Sequence, residues 1–476
     1  MTKTSTFKLK LTAVIVPLLF AASAQVFASN DAQTLTIYVD QETKQIFSEP
    51  GPNRVKMGDF QPVMTTSATV VDPQSVKTTL NKKGLGFKTA DGQFKFGFSG
   101  RLHADATYHN NSDNLQKGGN PIHANDGTEI RRARIVFKGT LYNDFKFISE
   151  VDFGDNEVGV KDLFLTYTGS DFAQITVGHQ KQNISMELQE SSNDIMFTER
   201  SLVNTLTATL FDRAIGLNLK KSDKNWSAQA GIYGDSMDAN KSNSSTPSTT
   251  AGEGFGASTR VTFAPINTPN EVIHIGGFAG YRTTSGSDGF NNAGTAFVHE
   301  TTHMSNLKLT NTGSIATAEN ATMFGLELAA MRGPFSIQGE YTTAKVQRES
   351  ILPSLDFNAF YVQAGWTLTG ESRSYKGSDG EFKRFKPRKR FLTGKSGFGA
   401  LELALRYDES DLTSKDIHGG EEKRVTVAMN WHLNENVRLM ADYSRSFDLK
   451  GSPVTKLNGG QPDNIDVMTF RTQWAF

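Results

Sequence analysis

Apolar and polar residues alternate with a period of two along most of this chain. In residues 94–108, FKFGFSGRLHADATY, one side of an extended backbone carries Phe94, Phe96, Phe98, Leu102, Ala104 and Tyr108. The other carries Lys95, Ser99, Arg101, His103 and Asp105. Alternation this long argues for a strand with one face in an apolar medium and one in a polar medium. The same test gives strands near 131–142, 145–153, 160–168, 172–180, 213–221, 225–233, 255–263, 272–282, 323–331, 335–346, 358–369, 399–409, 423–433, 436–446 and 465–476. With the first, that is about sixteen, an even number as single-chain bacterial barrels require. In 470–476, FRTQWAF, the apolar face opens and closes on aromatic rings. After residue 22 no run of about 18 apolar residues occurs, which excludes helical membrane spans. The expected class is all-β: a transmembrane antiparallel β-barrel.

Lys3, Lys8 and Lys10 precede an apolar run over 11–22, with small residues after it. This reads as a secretory signal peptide over 1–28, cleaved after Ala28. Residues 29–83 are polar, contain Pro50, Pro52, Pro62 and Pro73, and read as an irregular periplasmic arm; the barrel is expected over 84–476. There is no Cys, hence neither a disulfide framework nor a lipid anchor on Cys. The 50 Lys or Arg balance 50 Asp or Glu. Loss of the three signal Lys leaves about −3, so basic character must be local and a nucleic-acid partner is not expected.

The connections alternate as well. Tight turns fall at 142–144, 169–171, 222–224, 332–334 and 434–436, and longer segments at 109–130, 181–212, 234–254, 283–322 and 447–464. Short periplasmic turns and long outer loops are the barrel rule. The Ser/Thr/Asn-rich stretch 240–250 suits an exposed, mobile outer loop. Residues 370–398 break the rule: they are long, yet parity puts them on the periplasmic side.

Parity carried along each strand points Arg101, Arg132, Arg134, Arg260, Arg282, Arg406, Arg424, Arg438 and Arg471 inward, with Lys138 and Lys220. Asp152, Asp162, Glu327, Glu340 and Glu402 also face inward. A general porin lumen is polar with mixed charge. The sharper reading is a series of Arg at several depths that passes an anion along, since guanidinium forks match phosphate oxygens and stay charged. Residues 371–395 hold nine Lys or Arg and three acids. Turned into the lumen, Lys383, Arg384, Lys386, Arg388 and Arg390 would form a basic periplasmic mouth; a solvated loop outside the pore is the plainer alternative. His103, His179, His274 and His432 are scattered, with no HExxH and no GxSxG. Neither an enzyme nor a metal site nor a cofactor is expected.

Four segments resemble the phosphate-selective porin O and P family of Gram-negative bacteria. They are FKTADGQFKFGFSGRLHAD at 87–105; EIRRARIVFKGTLYNDFKFISEVDF at 129–153, followed by VKDLFLTY at 160–167; VGHQKQNISMELQESSNDIMFTERSL at 177–202; and WTLTGESRSYKGSDGEFKRFKPRKRFLTGKSGFGALELALRY at 366–407. The resemblance implies a homotrimer of sixteen-stranded barrels in outer-membrane lipid, each with its own anion-selective pore. It implies that the loop after the fifth strand folds inward as the constriction. On that resemblance Arg101, Arg131, Arg132, Asp162, Ser191, Ser192 and Arg200 match lining positions. Parity puts Arg131 on the outer face, so a lining role needs a bulge or a strand that starts after it. Arg200 could instead pair with Glu199 or Glu190. Phosphate-selective members carry a Lys three residues before the Ser pair; here that position is Leu188, after Glu187, with Lys181 nearby.

The expected function is a passive outer-membrane porin for small anions, with phosphate or polyphosphate the leading solutes. The alternative on the same barrel is a general diffusion pore. An energised receptor-type barrel of about 22 strands needs a plug that 29–83 is too short to make.

Overall fold

The computed structural model describes residues 35–60, 75–110, 114–234, 254–283, 296–305, 307–315, 317–349, 351–391 and 397–476. The expected signal peptide and the 240–250 stretch lie outside these residues. The chain divides into two units, 1–71 and 72–476. In the first, Leu35–Asp40 pairs antiparallel with Ile46–Phe47 and with Arg54–Phe60. Arg54 stacks over the Phe47 ring at 3.4 Å.

The second unit is a closed antiparallel barrel of sixteen strands. In chain order they are β1 Lys95–Asn110, β2 Gly127–Leu141, β3 Phe145–Asp152, β4 Gly159–Tyr167, β5 Gln174–Lys181, β6 Arg213–Asp223, β7 Trp226–Tyr233 and β8 Gly256–Asn267. They continue as β9 Glu271–Thr283, β10 Ala318–Arg332, β11 Phe335–Arg348, β12 Leu355–Thr367, β13 Ala400–Ser414, β14 Ile417–His432, β15 Val437–Lys450 and β16 Asn464–Ala475. β16 closes on β1 with Ala475 opposite Arg101, and Phe476 exchanges both backbone hydrogen bonds with Gly100. Closure leaves no free edge, which a lipid environment demands.

The burial pattern is inverted relative to a water-soluble sheet. On β11, Phe335, Ile337 and Tyr341 are 56%, 49% and 49% exposed, while Ser336, Gln338, Glu340 and Thr342 between them are buried. Apolar side chains face out and polar ones in, because lipid is outside.

All sixteen expected strands are present. Two readings change. The stretch 29–83 is not irregular throughout, for besides the small sheet, Val76–Asn81 and Gly84–Thr89 form a hairpin whose second strand pairs with β1 at Leu85–Phe98. This hairpin crosses the boundary expected at 83. Polar residues on both faces hid the strands there. For the same reason β13 and β14 run on to a two-residue turn at Lys415 and Asp416, past the ends that alternation gave.

Among the described residues, two insertions enter the lumen, and a third segment, within 296–315, packs on the first through Phe297 and meets Glu422 and Arg424 of the wall through His299. Residues 182–212, after β5, carry α1 (Met186–Gln189) and α2 (Val203–Phe211). On α2, Val203, Leu206 and Leu210 recur at helical spacing and pack with Phe211 on Phe297, Met323, Val346 and Phe357. Glu340 of β11 accepts the backbone N–H groups of Met186 and Glu187 at 3.0 and 2.7 Å, and Ser185 caps α1 by accepting from Leu188 N–H at 3.1 Å. The second insertion comes from the end that bears the tight turns. Ser374–Lys376 and Glu381–Lys383 pair as a hairpin. Its fully buried Phe382 meets Met186, Val272 and Met331, so the segment does turn into the lumen.

Candidate functional site

The insertions cover the inward faces of β8 to β15. An opening remains along β1 to β6: a cavity of about 750 Å³. Arg101, Arg131, Arg132, Arg134, Asp162, Ser191, Ser192 and Arg200, all anticipated from the sequence, line it.

Two irregularities in the wall sharpen its charge. In the β1–β2 ladder, Arg132 pairs with His103 and Ile130 with Ala104, so Arg131 is an extra residue. In the β3–β4 ladder, Ser149 pairs with Leu163 and Val151 with Val160, so Lys161 and Asp162 stand opposite Glu150. A β-bulge re-aims a side chain. Strict alternation would send Arg131 and Lys161 outward, yet both line the cavity.

Most of the lining is paired. Arg101 donates to Ser192 Oγ at 3.0 Å, more weakly to Ser191 Oγ at 3.5 Å, and to Glu150 at 3.2 Å. Arg134 holds Glu150 and Asp152, each at 2.6 Å. Arg213 donates to Asp162 at 2.8 Å. Arg131 donates to Glu199 at 2.9 Å. Burial would raise the Glu199 carboxyl, but Arg131, Arg132 and Arg471 outweigh it and hold it well below the usual carboxylate range.

The lining holds nine Lys or Arg, and four of them make no ion pair with a carboxylate among the described residues. Arg132 is 7% exposed, and its Nη1 has no acceptor. Lys161 Nζ has no hydrogen bond or ion pair among the described residues. Lys181 Nζ donates to the carbonyl oxygens of Leu188, Gln189 and Glu190 at 2.6, 3.1 and 3.4 Å, where α1 ends. Arg200 donates to the carbonyls of Glu187 and Glu190 at 3.0 and 2.7 Å, not to the Glu199 or Glu190 carboxylates. Carbonyl contacts orient these cations and leave their charge uncancelled.

The remaining predicted Arg do not line this cavity. Arg260 grips Glu327 with two bonds of 2.7 Å and donates to the hairpin carbonyls of Asp379 and Gly380. Arg282 donates to Leu210 O at 2.9 Å. Arg406 and Arg424 share Asp408, and both donate to Arg200 O. Arg438 donates to Ile195 O at 2.8 Å. Arg471 donates to Thr198 O at 2.6 Å. These six face inward as expected, but what they meet is the inserted backbone. Parity separates inside from outside and cannot tell open lumen from filled lumen.

The expected basic mouth divides similarly. Lys383 lines the cavity while paired with Asp379 and Glu381. Arg384 points to a smaller cavity beside Asp194. Lys386, Arg388 and Arg390 are exposed. The sequence reading missed Lys161, Lys181 and Arg213 as lining groups. Each sits at a bulge or a strand end, where alternation carries no information.

The family model described as phosphate-selective porin O and P matches residues 96–476. An uncharacterized protein of Caulobacter vibrioides is 29% identical over 425 residues, covering 87% of this chain and 81% of that protein. Porin O of Pseudomonas aeruginosa is 26% identical over 450 residues, covering 87% of this chain and 94% of that protein. Among solved structures, an anion-selective porin from Comamonas acidovorans aligns with a TM-score of 0.49 at 14% identity, over 80% of this chain and 100% of that one. The chain forms a passive channel in the Gram-negative outer membrane and is not an enzyme. With most of its length matched by the family model, this outer-membrane porin belongs to the phosphate-selective porin O and P family.

Proposed function

We propose that the channel prefers small anions, with phosphate or polyphosphate the leading solutes, and that they pass through the cavity between β1–β6 and the loop 182–212. The observation that carries this reading is the set of four cations without carboxylate partners: Arg132, Lys161, Lys181 and Arg200. A wall of fully paired charges would present little net field, whereas these four leave the opening electropositive. An entering anion exchanges hydration water for the Arg132 and Arg101 guanidinium groups and the Ser191 and Ser192 hydroxyls. It leaves again because the donors are spread over the wall and not closed into one tight site.

The family supports a homotrimer, and the apolar outer face of the alternating strands supports its seat in outer-membrane lipid. A mass of three chains in mild detergent is expected.

One observation favours the general-diffusion alternative. Leu188 stands where the family resemblance implies a Lys in phosphate-selective members, and six carboxylates share the lining. Reversal potential across a planar bilayer in a potassium chloride gradient decides. An anion-selective potential, with chloride current blocked by added phosphate, is expected; a potential near zero would leave a general pore.

A further inference from the structure

Behind the constriction loop lies a second cavity of about 20 Å³, separate from the permeation opening. It is bounded by loop residues Asn193 and Asp194, by Arg373 and Phe385 of the inserted segment, and by His432 and Arg438 of the wall. Its volume suits one particle of about the size of water. A tetrahedral oxyanion does not fit.

Arg373 is 6% exposed, and its guanidinium lies flat over the Phe382 ring at 4.0 Å. Neither Nη1 nor Nη2 has a hydrogen-bond acceptor. The closest carboxylate oxygen, Glu190 Oε1, is 4.0 Å away, outside hydrogen-bond reach. Arg438 Nε also lacks an acceptor.

Among the other charged groups around the cavity, Glu402 shares it with Arg373 and Arg438 without an ion pair to Lys or Arg, and Asp194 Oδ1 lacks a hydrogen-bond donor among the described residues. Lys383 is paired with Asp379 and Glu381, and Arg384 lies 3.9 Å from Asp194. Glu402 accepts from Asn430 Nδ2 at 3.0 Å and meets His432 Nε2 at 3.4 Å; Glu435 pairs with Lys82. Burial pushes Glu190 up to about 8 against the pull of Arg373, so at neutral pH it is largely uncharged and does not cancel that guanidinium.

Two buried guanidinium groups, Arg373 and Arg438, share the cavity with one carboxylate that has no other cation, Glu402, and a buried positive charge left over costs several kcal/mol. Water satisfies the N–H donors but does not neutralise the charge. We propose that this cavity holds one monatomic anion, a halide such as chloride, bound by Arg373 with Arg438 beside it. The ion is resident and does not permeate. It joins the loop 182–212 to the inserted segment 371–385.

The test uses the full-length protein crystallised with bromide replacing chloride. An anomalous peak next to Arg373 is expected, and it should vanish in Arg373→Gln. A peak that persists in that variant marks an adventitious ion only and overturns the proposal. So does density at the site without anomalous signal. Should Arg373→Gln not fold, thermal melting of the wild-type protein in detergent decides. At constant ionic strength, Tm should rise and saturate as potassium gluconate is replaced by potassium bromide; equal Tm in the two salts overturns the site. A rise in Tm supports the site only together with a bromide peak beside Arg373, because bromide also enters the permeation cavity; absence of the peak leaves the anion-porin reading intact.

Discussion

Arg406 of the barrel wall donates to the carbonyl oxygen of Glu199 in the inserted loop at 3.1 Å. The same guanidinium reaches Asp408 at 2.8 Å and Glu187 at 3.5 Å and lies over the Phe197 ring. Wall and loop therefore meet at a buried charge cluster. Removing one member of such a cluster costs roughly 3–5 kcal/mol, because its partners stay buried and unpaired. Arg406→Ala is expected to loosen residues 182–212. Single-channel conductance should rise, anion preference should fall, and protease should cut the loop. Unchanged conductance with a protease-resistant loop would remove Arg406 from the role of clamp.

Arg132 behaves in the opposite way. It is buried in the wall with no carboxylate of its own. Arg132→Gln is expected to reduce anion preference in a salt gradient while changing thermal stability little, since the cost of burying its charge is lost together with its attraction to Glu199. A marked drop in Tm would assign Arg132 to the scaffold.

Leu188 is 3% exposed and lines the cavity. Leu188→Lys adds an ammonium near Lys181 and Arg200. Phosphate block of chloride current should strengthen several-fold, and a large effect on chloride conductance itself is not expected. No change in block would mean that this part of the loop does not meet the permeating ion.

Glu190 gives a stability that depends on pH. Its folded-state pKa is raised from 4.5 to about 8, chiefly by burial. The folded state therefore holds the proton more tightly than the unfolded chain does. Stability from this group is greatest below about 4.5, declines as pH rises from there to about 8, and is flat above. Melting temperatures between pH 5 and 9 should fall with pH, and Glu190→Gln should remove part of that slope. An identical slope in the variant would count against the buried, protonated state.

Lys386, Arg388 and Arg390 are exposed beyond the inserted hairpin. Changing all three to Gln should lower anion conductance most in dilute salt, where the Debye length reaches about 30 Å at 0.01 M. An effect of equal size at all salt concentrations, or none, would put these side chains away from the ion path.

The strands were legible in the sequence because a barrel strand answers to local geometry. Successive side chains point to opposite sides, and lipid on one side fixes which must be apolar. Phe335, Ile337 and Tyr341 against Ser336, Gln338 and Glu340 suffice to orient β11. The eight anticipated residues gathered at the cavity rested mostly on quoted motifs, and Arg131 needed a bulge that alternation cannot reveal. Only the tertiary structure decided which inward Arg meet open lumen. Arg260, Arg406, Arg424 and Arg438 obey the same parity as Arg101 and Arg132. They are covered because α2 buries Val203, Leu206 and Leu210 against one side of the barrel and Phe382 brings the second insertion beneath α1. That choice depends on contacts between residues far apart in the chain, and a period of two records only which way each side chain points.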